Sequence, residues 1–214
     1  MNVLSYIFPQ TITSSFSPTN GEIKVIEYFG KKALYVDGAP QSGAEITPMW
    51  EKIISKIKNQ KSKIKNCLVL GVGGGDVIKA IRKYYPEAKI TAVEIDPIMI
   101  EIAKKYFGLE TSDTYIIVSD AISWVKNSKK KFDLIIIDLF IGKLNPSDSH
   151  GRFFLSDLKR LSATHGFIVF NGHYQENNPD EYKKFKKSCQ TVFPRFEEIF
   201  AYRHNRVVKL SSYV

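Results

Sequence analysis

Cysteine is almost missing from this chain, with two among 214 residues. Cys67 opens an apolar stretch and Cys189 falls in a helical pattern, so both read as reduced core residues of a cytoplasmic protein rather than a disulfide framework. Long apolar runs are missing too; none approaches the roughly 18 residues that a membrane-crossing helix needs. Met1 to Pro9 show neither a basic stretch nor a small-residue cleavage site, which argues against a signal peptide. No Gly-x-x-x-x-Gly-Lys-Ser/Thr run occurs, which removes a triphosphate-binding loop. Acidic residues are in deficit, 22 against 31 lysines and arginines, for a net charge of +9. The lysines gather at Lys56, Lys58, Lys61, Lys63 and Lys65, at 129–131, and at Lys183, Lys184, Lys186 and Lys187. Such clusters are either a surface for nucleic acid or the solvated faces of helices. The scarcity of arginine and of interleaved aromatic residues favours the second.

The 43% hydrophobic and 25% charged residues that remain suit one globular domain with a full core. Residues 1–20 are rich in Ser, Thr and Pro and read as a loosely ordered arm. Glu22–Tyr28 and Ala33–Asp37 alternate apolar and polar residues around a turn, predicting a β-hairpin. Residues 1–45 are thus an N-terminal arm and hairpin, and 46–214 the main domain. Ile46–Ile64 carries Met49, Trp50, Ile53, Ile54 and Ile57 at helical spacing. Strands are predicted at Cys67–Leu70, Lys89–Glu94, Tyr115–Val118, Phe132–Ile137 and Gly166–Asn171. Helices at Asp76–Tyr85, Pro97–Phe107, Ala121–Val125, Arg152–Leu161 and Pro179–Val192 separate them, and Phe196–Tyr202 with Asn205–Leu210 closes the chain as an antiparallel pair. This alternation predicts an α/β fold, a mostly parallel sheet covered by helices on both faces.

The chemistry starts at Cys67–Leu70, an apolar run that ends in Gly71-Val-Gly-Gly-Gly-Asp76. Gly71, Gly73, Gly74 and Gly75 let the chain turn tightly and let a ligand approach the backbone. Glu94 ends the next strand 19 residues after Gly75, near the spacing at which a carboxylate meets a ribose. A dinucleotide loop would carry its third glycine where Asp76 stands, and a carboxylate there repels a pyrophosphate. S-adenosylmethionine has no phosphate and is positively charged at sulfur and nitrogen, so an acidic loop suits it. Asp76 also has a plain reading as a helix N-cap, and Asp96 is the cap before Pro97. Asp120 either accepts from an adenine amino group, beside the N–H of Ala121, or caps the helix that follows. Asp138 closes the buried strand Phe132–Ile137. Acids at successive strand ends, Asp76, Glu94, Asp120 and Asp138, place negative charge where an open parallel sheet binds ligands.

Gly73-Gly-Gly-Asp76, Val93-Glu-Ile-Asp96, Ser119-Asp-Ala121 and Phe132-Asp-Leu-Ile-Ile-Ile-Asp138 resemble the spermidine synthase family of class I S-adenosylmethionine-dependent transferases. Val36-Asp-Gly-Ala-Pro-Gln-Ser42 is similar to that family's entry to its cofactor site, and the likeness covers roughly residues 22–200. The resemblance implies a Rossmann-like sheet of seven strands with a small N-terminal β-hairpin, and it makes a homodimer plausible. It implies Gln41 near the methionine-derived part of the cofactor, Glu94 and Ile95 at the ribose, Asp120 and Ala121 at the adenine, and Asp76 at the charged amino end. Asp138 takes the place of the catalytic acid.

The departures bear on the acceptor. The family's Asp-Ser-Ser-Asp stretch, which holds a diamine with two carboxylates, reads Asp138-Leu-Phe-Ile141 here. Trp50-Glu51 stands where the family has Tyr followed by His or Gln, and Tyr202-Arg-His-Asn-Arg206 replaces a late loop. A desolvated diammonium needs paired charges, so putrescine is an unfavourable guest. Trp50, Leu139, Phe140 and Ile141 would form an apolar acceptor pocket, with His173 and Tyr174 as second candidates. The leading expectation is methyl transfer from S-adenosylmethionine to a small acceptor, with Asp138 as base and no metal. Aminopropyl transfer from decarboxylated S-adenosylmethionine stands second, and a non-catalytic cofactor-binding or RNA-binding protein third.

Overall fold

The structure, a computed structural model, describes residues 3–44, 46–58, 63–142, 144–174, 178–202 and 204–213. Lys61, Arg203 and Met1 of the expectations above lie outside them, as does Lys143 of the loop after Gly142. The chain begins with a short 3-10 turn, Val3–Tyr6, followed by β1 (Gln10–Ser17), β2 (Gly21–Tyr28), β3 (Lys31–Val36) and β4 (Ala39–Ser42). These four pair in order as an antiparallel sheet. The expected loose arm is therefore corrected: residues 10–17 form a strand registered on β2 from Gln10 opposite Glu27 to Ser17 opposite Gly21. Thr, Ile and Phe favour extended backbone, and the ladder on β2 orders a segment whose composition alone reads as loop. Ile23, Val25, Leu34 and Val36 form the buried face of this sheet.

The remaining elements are α1 (Ile46–Lys58), β5 (Asn66–Leu70), α2 (Asp76–Tyr84), β6 (Lys89–Glu94), α3 (Pro97–Phe107), β7 (Thr114–Val118), α4 (Ala121–Asn127) and β8 (Phe132–Ile137). A 3-10 turn at Ser147–His150 leads into α5 (Arg152–Leu161), β9 (Ser162–His173), α6 (Pro179–Val192), β10 (Arg195–Tyr202) and β11 (Asn205–Ser211). The second sheet has seven strands in the order β10-β11-β9-β8-β5-β6-β7. β9, β8, β5, β6 and β7 run parallel, β11 is antiparallel to β9, and β10 reverses again to run antiparallel to β11. Of the expected helix Ile46–Ile64, residues 46–58 are helical, 59–62 lie outside the described residues, and Lys63 and Ile64 are not helical.

Period two along β5 explains why both faces are covered. Cys67 and Val69 join Trp50, Ile53 and Ile57 of α1 on one face, and Leu68 and Leu70 join Leu155 and Leu158 of α5 on the other. Met99 and Ile102 of α3 pack against the first sheet. No described helix is long and apolar enough to cross a membrane.

In the second sheet, sequence order reverses between β5 and β8. Chain ends diverge at such a point and leave a crevice beyond the strands. Gly71 and Asp138, the residues after those two strands, meet there, and the Asp138 N–H donates to the Leu70 carbonyl at 2.8 Å. Gly71 has φ 88°, and a Cβ on it would lie 2.2 Å from the Asp138 carbonyl oxygen. Only glycine lets the two strand ends come this close.

Candidate functional site

At the crevice, a cavity is lined by the ends of β5, β6, β7 and β8. Gly71, Gly73, Glu94 and Ile95 form one side, Asp120 and Ala121 a second, and Asp138 to Ile141 a third, with Gln41 from β4 above. The Glu94 carboxylate is buried and accepts from the backbone N–H of Val72 at 2.8 Å and of Asp96 at 3.1 Å. Burial raises its pKa, and backbone N–H groups of Val72, Asp96 and Gly73 oppose that rise. Glu94 thereby ties the glycine loop to the end of β6. Asp96 caps α3 by accepting from the Ile98 N–H at 2.9 Å, and it also accepts from Asn20 of the first sheet at 2.7 Å. Asp120 caps α4 through the Ser123 N–H at 2.7 Å while standing in the cavity wall. The expected cap is present, and the residue also lines the cavity.

Asp76 is elsewhere. It is not in this wall; its carboxylate accepts from Thr47 Oγ1 at 2.6 Å and from Ser42 Oγ, at the edge of a wide, open depression of about 900 Å³ on the other side of β4. That depression also carries Lys32 and Lys79 and does not reach the strand ends that meet at the crevice. Nor does Asp76 cap α2, because the N-cap position belongs to Gly75, at φ 85°. Asp76 instead joins the glycine loop to β4 and α1. Gly74 serves the same junction: a Cβ there would fall 2.2 Å from Ser42 Oγ.

A second cavity of about 300 Å³ adjoins the first, sharing Gln41, Asp138 and Phe140 with it. It is bounded by the β3–β4 turn, by Met49 of α1, and by Asn171, His173, Tyr202, His204 and Asn205 of the strands β9, β10 and β11 and the turn joining β10 to β11. Asp138 keeps some surface open to the two cavities yet is ringed by protein atoms. Its carboxylate accepts from Asn171 Nδ2 at 2.8 Å. Burial pushes its pKa up to about 6, Asn171 opposes this, and the charges of Asp76 and Glu94 add to it. The Trp50 indole N–H lies close enough to favour the charged form without reaching hydrogen-bond geometry.

Two expected pocket residues are corrected. Trp50 is wholly buried in the core under the sheet and forms no part of either wall. Tyr174 packs against His150, Phe185 and Tyr182 in the opposite core layer, with ring centroids 5.6, 5.8 and 4.9 Å away. His173 and Tyr174 are consecutive on extended chain, so one faces the cavity and the other the core. Asn171, Asn205 and His204 line the site and were not anticipated. The signal for Asn171 was present, a polar residue ending an otherwise apolar strand. Asn145 also went unseen: it donates to the Leu139 carbonyl at 2.7 Å and accepts from the His173 N–H at 2.6 Å, tying the loop after β8 to β9. Among the described residues, no group of three or more His, Cys, Asp or Glu is placed to hold a metal.

Comparison with known proteins bears on the family and the fold. Residues 49–204 match the spermine/spermidine synthase domain. The chain is 35% identical over 113 residues to the polyamine aminopropyltransferase of Vibrio vulnificus, covering 51% of this chain and 38% of that protein. It is 32% identical over 93 residues to the eEF1A lysine and N-terminal methyltransferase homolog of Drosophila pseudoobscura pseudoobscura, covering 41% of this chain and 14% of that protein. The chain thus spans less than half the length of either relative. A spermidine synthase solved with the transition-state analogue AdoDATO superposes with a TM-score of 0.81 at 18% identity, over 95% of this chain and 74% of that one. That last likeness is one of fold.

Proposed function

This chain belongs to the spermine/spermidine synthase family, and we propose that it transfers a methyl group from S-adenosylmethionine to a small acceptor, with Asp138 as the base. One observation carries the reading. In a protein of net charge +9, the described lining of the first cavity holds Glu94, Asp120 and Asp138 and no lysine or arginine. Such a lining complements a cation and disfavours a phosphate. Glu94 and Ile95 would hold the ribose, Asp120 and Ala121 the adenine, and Gln41 the methionine-derived portion. When bound, S-adenosylmethionine supplies an electrophilic carbon on a sulfonium, whose C–S bonding pair stays with sulfur as the acceptor's lone pair forms the new bond. Asp138 takes the proton that the acceptor loses. Positioning does much of the remaining work, as in other in-line displacements. Asp76 would act at one remove, by holding β4 and its Gln41 against the glycine loop.

A second reading is aminopropyl transfer from decarboxylated S-adenosylmethionine, favoured by the names of several relatives. The absence of a second carboxylate from the described lining of the second cavity weighs against a diamine acceptor. Two experiments test these readings, the first for the cofactor class and the second for the group moved. S-adenosylhomocysteine should bind with micromolar affinity by calorimetry, while NAD should not; tight NAD binding would overturn the proposal. Product masses then distinguish the group transferred, since a methyl adds 14 Da and an aminopropyl group 57 Da.

A further inference from the structure

The second cavity has two chemically different ends. One is Asp138. The other is made of the imidazoles of His173 and His204, whose ring centroids lie 5.2 Å apart. Between them, Asn205 Nδ2 donates to Asn171 Oδ1 at 3.0 Å, and Asn171 Nδ2 donates to Asp138 Oδ1 at 2.8 Å. The amide donors therefore run toward Asp138, and Asn205 favours the protonated form of His173 without reaching hydrogen-bond geometry. This relay stabilises the Asp138 carboxylate with one N–H of each amide. His204 Nδ1 is buried with no hydrogen-bond partner among the described residues. A buried polar atom of that kind costs free energy unless a ligand or water completes it.

We infer that the acceptor is an amine carrying a carboxylate, its nitrogen at Asp138 and its carboxylate at the His173–His204 pair. This inference rests on the transferase reading for its donor. A diammonium would place its second charge against imidazoles, with no acid in the described lining to receive it. A carboxylate there receives imidazole N–H groups, and its charge favours their protonated form. Burial and the neighbouring His204 lower the pKa of His173, while Asn205 and Glu181 of α6 raise it. Glu181 acts on His173 by its charge but is not among the described residues that line the cavity. A volume of about 300 Å³ suits a compact ligand.

Three four-carbon amines that differ only at the far end test the assignment: 4-aminobutanoate, 1-aminobutane and 1,4-diaminobutane. Each is titrated by calorimetry into the protein alone and into its complex with S-adenosylhomocysteine. The expected result is that 4-aminobutanoate binds about tenfold more tightly than 1-aminobutane, with 1,4-diaminobutane weakest. The His173→Gln/His204→Gln double variant should lose that preference, its S-adenosylhomocysteine affinity serving as the check that it is folded. Equal or tighter binding of either other amine to the unaltered protein overturns the inference, as does a folded double variant that keeps the preference. Failure of S-adenosylhomocysteine to bind removes the transferase reading, and the ranking on the protein alone still decides which amine the cavity takes.

Discussion

The Asp138 carboxyl holds its proton up to about pH 6, against an ordinary value of 3.8, because burial disfavours its charge. The folded state therefore binds this proton more tightly than the unfolded chain does. Its stabilising effect is complete below pH 3.8 and is lost as pH rises through about 6. Asp138→Asn keeps an oxygen for Asn171 and removes the buried charge. At pH 7.5 the variant should melt about 2–4 °C higher than the unaltered protein, the difference shrinking toward pH 4, with turnover reduced at least about 100-fold. Melting points that track each other across the whole range would show that the charge is not buried as described. His150 works in the opposite direction. Burial lowers its pKa to about 4 from 6.5, so its contribution is complete above pH 6.5 and is lost as pH falls through about 4. The two slopes oppose one another between about pH 4 and 6, so Asp138→Asn should also expose the steeper acid loss that belongs to His150.

At the scale of elements, the glycine loop is held from two sides. Gly71 is constrained by backbone, and Gly74 by the hydroxyl of Ser42. A methyl on Gly74 would also crowd Ser42 Cβ, which no rotamer moves, but β4 can shift as an edge strand, whereas the Asp138 carbonyl is fixed in the pairing of β5 with β8. Gly71→Ala should therefore abolish recovery of folded protein. Gly74→Ala should fold with a loss of about 1–3 kcal/mol and weaker S-adenosylhomocysteine binding, since β4 and Gln41 must shift. Denaturant melts and calorimetry on the two variants would read this order, and equal tolerance at both positions would refute it. The run Cys67–Asp76 was legible in sequence because a strand, a tight turn and a helix must follow one another within ten residues. The role of Asp76 was not legible. Its partners Ser42 and Thr47 lie 34 and 29 residues away, and nothing local separates an N-cap from a carboxylate that accepts hydroxyls across an interface. The strand at Gln10–Ser17 was hidden for a related reason. Its burial pattern is weak, and pairing with β2 decides its conformation.

Across the whole molecule, a net charge of +9 surrounds a cavity with an acidic lining. Long-range repulsion therefore slows the approach of a cation that the cavity itself favours. Added salt screens the distant lysines more than the buried carboxylates. The kcat/KM for S-adenosylmethionine should rise on the order of twofold between 20 and 200 mM salt, and that for an anionic acceptor should fall. Opposite trends would mean that the lysine clusters lie where they do not govern approach to the site.

The alternation of strands and helices, the glycine turn after the first parallel strand, and the acids at strand ends were set by the sequence itself, because each depends on residues near one another in the chain. Tertiary structure decided which of those acids face the crevice and which hold it together. It sent Trp50 and Tyr174 into the core and brought Asn171, His173, His204 and Asn205 beside Asp138. Those placements follow from the pairing of β9 with β8 and β11, strands separated by long connections whose register no local pattern records.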